Sequence, residues 1–387
     1  MTLKLEDILP HGFYSTEAVD KLVYARDASD YEGTCTAVAW PTTKQQLMNM
    51  IKFAKKEAGR FTIRGAGMNK VGSSVPANAL VIDMTKLNKV IEWGHDSITV
   101  EAGMTLSECT QIVQKKGYYF PVKPLGHAAC TIGGMIASNV LGLETYYGRM
   151  GEWVYELEII DGKGDRQKIT GEELRNFIGL EGITGVIYAA KLKLLSAPIE
   201  KSITVFKFNT LTALMDKVMV LDKNKSVMAI EFFDEFCSSL LGLEPALHLV
   251  VEYKEDVGVI KDKEEIKKLN ELKEKISMLL TNKKYTEQED PKIPYDQMSR
   301  LLNWLGKNGI PCYGHIKQQI LCPAFKDDSR LIQDLYQIVP KLNGEIIGQQ
   351  AVGIKRKKFL SQDKIKRYMR AKEKYDPEKL LNPSILI

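Results

Sequence analysis

Short apolar runs and helix-spaced apolar residues alternate along the first two hundred residues of the chain. Apolar segments bounded by turn-forming residues predict strands at 37–41, 61–64, 79–83 and 97–101. After the first of these, Thr42 or Thr43 can cap a helix that extends to residue 57, because apolar side chains then recur on one face: Leu47, Met50, Ile51 and Ala54. This β-α-β beginning predicts the first lobe of an α+β domain.

The pattern changes at Pro198. A second lobe, 102–198, is predicted before this point, with a helix at 106–116 and strands at 154–161 and 186–195. Beyond it, residues 199–343 alternate strands with helical stretches. One of these helices is amphipathic, with a solvated charged face and apolar positions that we expect to pack in a core: Ile266, Leu269, Leu272, Ile276 and Leu279.

Three glycine-rich segments stand out against this pattern, at 64–72, 130–139 and 179–187. Each lies beside strand-like apolar sequence. Glycine lets backbone amides come close to a phosphate or a flat ring, because no Cβ stands in the way. A single loop of this kind more often only makes a turn, but all three together indicate a domain that wraps a large anionic cofactor.

Taken together, the three segments resemble those of the PCMH-type FAD domain of the vanillyl-alcohol-oxidase superfamily. Within that superfamily the chain is most similar to the flavin subunits of glycolate oxidase and D-lactate dehydrogenase. The similarity runs from about residue 24 to 198 and from 344 to 383. It implies an α+β fold in four parts: an N-terminal helical segment (1–36), a two-lobed FAD-binding domain (37–198), a smaller α+β substrate cap (199–343) and a C-terminal segment that returns to the flavin domain (344–387).

The resemblance also assigns residues to the cofactor. The first loop, with Ser73 behind it, would hold the pyrophosphate through its backbone: Arg64, Gly65, Ala66, Gly67, Met68 and Asn69. A Pro-Gly-Ser element of the family is matched at one of three positions by Pro124, Leu125 and Gly126. The central loop would place amides and a hydroxyl against the pyrophosphate and the flavin: Thr131, Ile132, Gly133 and Gly134, followed by Ser138 and Asn139.

The third loop would reach the adenosine and ribose through Glu181, Gly182, Gly185 and Ile187. Near the C-terminus, Asn382 would face the isoalloxazine, and Asp376 with Pro377 suits the cap and first position of a short helix. Some members of the superfamily tether FAD through a histidine in the first loop. This loop has no histidine, so we expect FAD to be bound without a covalent link.

The family's catalytic segments are only partly kept. Relatives that oxidise 2-hydroxy acids place a divalent metal beside the flavin, held by two histidines seven residues apart and by a carboxylate next to a histidine base. Here His315 is kept, Cys322 stands at the place of the second histidine, and Gln349 and Gln350 replace the carboxylate and the base. Glutamine cannot act as a base near neutral pH.

We therefore favour a pocket without metal, in which His315 is the proton acceptor and Gln350 lines the substrate face. A His315/Cys322 pair that binds a soft metal such as zinc remains the alternative.

Composition limits the classes of partner and the cellular compartment that we expect for the chain. The 387 residues carry 54 basic and 49 acidic side chains, and this excess of five is too small and too scattered to predict a nucleic-acid partner. The longest segment without a charge, 125–143, is rich in Gly, Ser, Thr and Asn, so we expect no transmembrane span. No signal peptide is visible, and the six cysteines contain no Cys-x-x-Cys pair, so we expect reduced thiols in the cytoplasm and no iron–sulfur cluster in the chain itself.

The leading hypothesis is an FAD-dependent dehydrogenase that passes a hydride from a 2-hydroxy acid or related alcohol to flavin N5. By resemblance, the electrons would leave to an iron–sulfur acceptor subunit. The alternative is a non-catalytic or electron-relaying flavin subunit, which the replaced base and carboxylate favour. A third hypothesis is an enzyme for another alcohol that needs no metal and relies on His315.

Overall fold

The computed structural model describes residues 5–56, 59–124, 127–197, 200–326, 330–348 and 351–385. The chain forms two compact units. The first contains Met1–Val140, Arg149–Ala197 and Ala351–Ile387, and the second contains Leu141–Gly148 and Pro198–Gln350. In the described ranges, no helix is both long enough and apolar enough to cross a bilayer.

These units differ from the sequence-based division in two places. Residues 141–148, which we assigned to the flavin domain at 37–198, belong to the second unit. Hydrogen bonds explain this, because Thr145 Oγ1 donates to the Met228 carbonyl and the Thr145 carbonyl accepts from Gln318 Nε2. The second unit also runs to residue 350 and not to 343, since Asp290 pairs with Ile347 in a short parallel bridge.

The first unit begins with a four-stranded sheet. Its elements are β1 (Tyr14–Ser15), α1 (Ala18–Tyr24), β2 (Thr34–Ala39), α2 (Lys44–Lys56), β3 (Phe61–Arg64) and β4 (Ala77–Asp83). The strand order is β1-β2-β4-β3, and β2 and β3 both run parallel to β4. The predicted helix is confirmed as α2, and it buries the four expected apolar residues: Leu47, Met50, Ile51 and Ala54.

A five-stranded antiparallel sheet follows in the same unit, in the order β5-β6-β10-β8-β9. Its elements and their neighbours are β5 (Val90–Trp93), β6 (Ser97–Glu101), α3 (Leu106–Gln114), β7 (Tyr118–Tyr119), α4 (Ile132–Ser138), β8 (Val154–Asp161), β9 (Arg166–Thr170), β10 (Gly185–Lys193) and β11 (Leu195–Ser196). The apolar faces of α3 and α4 pack on this sheet in one core. The sheet therefore fixes the position of α4, which is formed by the central glycine-rich segment that we expected to be a loop.

The second unit is built on a six-stranded sheet in the order β12-β14-β13-β16-β17-β15. Its elements are β12 (Ser202–Phe208), α5 (Leu211–Asp222), β13 (Val227–Phe233), α6 (Glu235–Leu240), β14 (Leu247–Tyr253), α7 (Lys263–Asn282), β15 (Glu287–Gln288), α8 (Tyr295–Lys307), β16 (Cys312–His315), β17 (Ile320–Phe325) and α9 (Arg330–Lys341). Apolar residues of α5, α8 and α9 cover one face of the sheet.

The amphipathic helix predicted in this unit is α7, but its buried face is shifted from the expected one. Leu272 is exposed and Lys273 is buried beside Ile276. The reason is electrostatic, because Lys273 Nζ lies 3.8 Å from a carboxylate oxygen of Glu252, which is itself buried in β14. A buried lysine needs such a partner, and the apolar repeat alone does not reveal it.

The last part of the chain returns to the first unit as α10 (Gly353–Arg356) and α11 (Gln362–Tyr375). The short helix expected at Asp376 and Pro377 is wrong, because Asp376 ends α11 and no helix starts there. Its carboxylate instead accepts from the amides of Leu380 and Leu381 and pairs with Lys372 Nζ at 2.6 Å. Asp376 therefore ties the C-terminal turn to the helix before it.

Candidate functional site

The first glycine loop joins β3 to β4, and its residues 65–67 are half-buried. Asn69 Oδ1 accepts from the amide of Val71 at 2.8 Å, which folds the loop back on itself. Gly67 has a φ of +68°, a conformation that favours glycine. The amides of residues 65–69 have no protein acceptor in the part of the chain that the structure describes. Such a run of free donors can bind the oxygens of a phosphate.

Close packing explains why this loop needs its glycines. A Cβ on Gly65 would lie 2.2 Å from Thr131 Oγ1, and one on Gly67 would lie 2.2 Å from Arg64 Nη2. The Arg64 head points toward the N-terminal segment, where Nη1 donates to the Arg26 carbonyl at 2.6 Å. The backbone of the loop, and not the Arg64 side chain, is therefore the part that remains open to a ligand.

The amides at the start of α4 are already used within the protein. The Ile132 amide donates to Met104 O at 2.9 Å, and the Gly133 amide donates to Ala102 O at 2.7 Å. Thr131 caps the helix by accepting from the Gly134 amide at 3.2 Å. We expected these amides to lie against the pyrophosphate, and the bonds they make correct that expectation. In the part of the chain that the structure describes, the amide and the hydroxyl proton of Thr131 have no acceptor and remain as donors.

The third loop packs against the C-terminal end of α4. The Gly179 amide donates to Ile136 O and the Glu181 amide donates to Ala137 O. The loop therefore lies beside the end of α4, where Ser138 is half-buried and Asn139 has a left-handed backbone. Gly185 and Ile187 lie in β10, where the Ile187 side chain is part of the core. Gly182, with a φ of +73°, stays half-exposed beside Asn382.

Glu181 joins three segments of the first unit. Its buried carboxylate accepts from Ser73 Oγ, from the Val352 amide at 2.8 Å and from the Gly353 amide at 3.0 Å. Burial raises the pKa of this carboxyl, while the bonds from Ser73, Val352 and Gly353 act in the opposite direction. The side chain therefore holds the protein together and is not free for the ribose hydroxyls we expected it to meet.

Asn382 has a similar internal role. Its Oδ1 accepts from the Ile63 amide at 2.8 Å and its Nδ2 donates to the Glu181 carbonyl at 2.6 Å. The side chain is buried, and its φ is +40°. Both ends of its amide bind backbone next to the cofactor loop, and its place beside the isoalloxazine stays a prediction.

The remaining expected residues divide into one that is described and four that are not. Pro124 is buried. Leu125, Gly126, Gln349 and Gln350 lie outside the described residues.

A second cluster lies in the second unit, on the central strands of its sheet. His315 and Glu231 pair across β16 and β13, and His315 Nδ1 lies 3.0 and 2.9 Å from the two carboxylate oxygens. Both side chains are buried, with 2% and 4% of their surface exposed. Because a carboxylate only accepts hydrogen bonds, Nδ1 donates its proton to Glu231, and in the neutral imidazole the lone pair lies on Nε2. Nε2 has no protein partner among the described residues.

Two further groups share this face of the sheet. The ring of Tyr313 lies edge-on to His315 at 6.3 Å, and burial raises the pKa of its phenol well above the usual value, so it stays protonated. Cys322 pairs with Tyr313 in the hairpin, while Ile320 pairs with His315. Across the described ranges, no group of three His, Cys, Asp or Glu side chains is arranged to hold a metal ion.

Glu231 was missed by the sequence reasoning, although a signal was present. It is the one charged residue in a strand whose seven residues are all buried. An acidic side chain in such a strand needs a partner, and this makes it a candidate for a functional or structural pair.

Two family models match the chain and together cover more than two thirds of it. Residues 35–170 match the FAD binding domain, and residues 248–385 match the C-terminal domain of FAD linked oxidases. The chain belongs to the PCMH-type FAD flavoproteins. FAD is its cofactor, and the open amides and close-packed glycines of the first loop fit that group.

The relatives agree on this family at low identity. The glycolate oxidase subunit GlcD of Bacillus subtilis (strain 168) is 24% identical over 97% of this chain and 93% of its own length. A D-2-hydroxyglutarate dehydrogenase of Xanthomonas citri pv. viticola is 26% identical over 60% of this chain, and the match spans about half (52%) of that relative. Among solved structures, an alkyldihydroxyacetonephosphate synthase matches with a TM-score of 0.77 at 14% identity, over 98% of this chain and 83% of that one. This last likeness confirms the α+β fold alone.

Proposed function

We propose that this flavoprotein is an FAD-dependent dehydrogenase that oxidises a 2-hydroxy acid or a related alcohol. The observation that carries the proposal is the buried His315–Glu231 pair, in which Nε2 is an available proton acceptor. The names of its relatives support the substrate class, since they describe a glycolate oxidase subunit and a D-2-hydroxyglutarate dehydrogenase.

The first unit would hold the cofactor. The amides of residues 65–69 would bind the pyrophosphate, and the Thr131 hydroxyl would add one donor. Glu181 and Asn382 would act on the cofactor indirectly, because they fix the first loop, residues 352–353 and the C-terminal turn against one another. The first loop has no histidine, which supports non-covalent binding.

Bound FAD supplies the acceptor for the hydride that leaves the alcohol carbon. His315 Nε2 would take the proton of the alcohol oxygen as the C–H bond breaks. Glu231 would keep Nδ1 protonated, hold the ring in one orientation and stabilise the imidazolium that results. With glutamine at positions 349 and 350, His315 is the base we assign to this reaction.

The reduced cofactor would then pass its electrons to a partner. Six cysteines without a Cys-x-x-Cys pair support the proposal that the iron–sulfur centre lies in another subunit. A chain that only relays electrons remains the competing function, because the family's base and carboxylate are replaced here.

The test is anaerobic reduction of the purified, FAD-loaded chain by glycolate, D-lactate and D-2-hydroxyglutarate. Acetate, propionate and glutarate serve as controls, because they lack the hydroxyl that the reaction needs. Rapid bleaching of the flavin band by one hydroxy acid supports the proposal and names the substrate class. A chain that binds FAD and is bleached by dithionite, but by none of the acids, supports the relay function instead.

A further inference from the structure

The positive charge of this protein is concentrated in one short segment. Residues 355–379 contain eleven Lys or Arg and four Asp or Glu, a net charge of +7, whereas the whole chain carries +5. The remainder of the chain therefore has 43 basic and 45 acidic residues and a net charge of −2. The expectation of a scattered excess is wrong, because one segment accounts for all of it.

This segment presents its charge to solvent on one side of α11. The helix buries Tyr368, Ala371, Lys372 and Tyr375, and its opposite side carries Lys366, Arg367 and Arg370. With Lys357 in the preceding turn, these exposed cations form what we call the basic face. None of the four has a carboxylate within 4.0 Å in the ranges that the structure describes. A charge without a nearby partner keeps its long-range attraction for an opposite charge.

The segment that carries the basic face is also bonded to the cofactor loop. The Lys355 amide donates to the Val71 carbonyl at 3.1 Å, within the first glycine-rich segment. Gly353 packs so closely there that a Cβ would lie 2.1 Å from the same carbonyl oxygen. Both contacts lie within the first unit, so the basic face continues from the part of the protein that holds the cofactor.

We propose that the basic face is the docking surface for an acidic protein that accepts the electrons of the reduced cofactor. This inference rests on the proposed function. A protein suits the surface better than a membrane or a nucleic acid, because exposed Asp363 and Glu373 interrupt the cations on the same side of α11. Mixed charge gives register to a protein interface, whereas a uniform polyanion would be repelled at both carboxylates. The two aromatic residues of α11, Tyr368 and Tyr375, are both buried, so the helix offers no ring on which the bases of a nucleic acid could stack.

The test measures electron transfer to two protein probes of opposite charge. The FAD-loaded chain is reduced with dithionite under argon, so that no substrate is needed. A chain that cannot oxidise hydroxy acids can therefore still show or fail to show transfer to the acceptor protein. It is then mixed with plastocyanin, an acidic copper protein, or with cytochrome c, a basic haem protein. Two one-electron transfers return each reduced FAD to its oxidised form, release two protons and reduce two Cu(II) or two haem Fe(III) centres.

The variant K366E/R367E/R370E reverses the basic face, and K267E/K268E/K275E reverses three exposed lysines of α7 as the matched control. We expect the first variant to slow plastocyanin reduction about tenfold at low ionic strength and to speed cytochrome c reduction. Both differences from wild type should be lost at about 0.5 M salt. The control should change either rate less than about twofold. The K366Q/R367Q/R370Q variant removes the charges without reversing them, and its rate of plastocyanin reduction should lie between those of the wild type and the reversed variant. This graded series distinguishes an effect of charge from a variant that fails to fold.

Two results would overturn the proposal. The first is an unchanged rate with plastocyanin in the reversed variant, or an equal loss in the α7 control. The second is wild-type retention on phosphatidylglycerol vesicles or duplex DNA that the reversed variant loses, with no effect on plastocyanin. That second outcome would assign the basic face to a membrane or a nucleic acid.

Discussion

Glu231 receives the Nδ1–H of His315 with both carboxylate oxygens, at 3.0 and 2.9 Å, although 84 residues separate the two in sequence. The pair exists because β13 and β16 lie side by side in the sheet, with these two residues in register. A histidine held in this way has one tautomer and one free nitrogen, which is what a general base requires.

Replacement of the carboxylate tests the pair. We expect Glu231→Gln to slow substrate reduction of the flavin by about 10²-fold, because an amide does not stabilise the imidazolium and does not fix the tautomer. FAD content should stay unchanged, since Glu231 belongs to the second unit and the cofactor loop to the first. Anaerobic stopped-flow absorbance measures the rate. A variant that reduces at the wild-type rate would show that Glu231 has no part in proton transfer.

Glu181 should control cofactor affinity without contact to the cofactor. In Glu181→Gln one oxygen can still accept from the Val352 amide, but the NH2 group that replaces the second oxygen faces the Gly353 amide, so there a donor opposes a donor. Loss of buried charge-assisted bonds of this kind costs about 1.5–3 kcal/mol, which predicts FAD binding weaker by about ten- to a hundredfold. Isothermal titration of the apoprotein with FAD measures it. Glu172→Gln, an exposed carboxylate of the same unit, is the control and should bind like wild type.

Gly65 tests the packing of the cofactor loop. In Gly65→Ala the new methyl group would lie 2.2 Å from Thr131 Oγ1, so the loop must shift. Overpacking of this size costs about 1–3 kcal/mol, and we expect FAD affinity to fall by about ten- to a hundredfold while the protein stays folded. Gly306→Ala is the matched control, because its Cβ meets no atom within 4 Å. Equal FAD content in the two purified variants would contradict the role of the loop.

His248 predicts a pH dependence of stability. It is buried beside Ser238, and burial lowers the pKa of its imidazole below 6.5. Between that lowered pKa and 6.5 the unfolded chain binds more protons than the folded one, so the contribution of His248 to stability is present above pH 6.5 and is lost as the pH falls through this window. Between pH 7 and pH 5 we expect the urea midpoint of unfolding to fall more for the wild type than for His248→Gln. An equal fall in the two proteins would contradict the role assigned to His248.

Local features of the fold were predictable from the sequence. The four apolar residues of α2 and the strands β3, β6, β8 and β10 are fixed by spacing within a few residues, and they appear where expected. The C-terminal turn was not predictable, because the Asp376 carboxylate binds Lys372 of the preceding helix and the amides four and five residues later. An Asp-Pro pair is typical of the start of a helix, but here the same two residues follow the end of one.

The site was predictable in its parts but not in its connections. The first loop could be recognised from its glycines, and His315 from its motif. The roles of Glu181 and Asn382 could not, because they depend on bonds to Ser73, Val352 and Ile63 from distant segments. Strand register places Cys322 opposite Tyr313 and on the same face of the sheet as His315, which the seven-residue spacing alone does not reveal.

The most direct test of the central claim is single-turnover flavin reduction by the preferred hydroxy acid in wild type, His315→Gln and His248→Gln. Both variants remove a buried histidine from the same sheet, but only His315 has a free Nε2 beside a carboxylate in the proposed base pair. We predict a loss of about 10²–10⁴-fold for His315→Gln and a rate near that of wild type for His248→Gln. Equal rates in wild type and His315→Gln would contradict the assignment of His315 as the base.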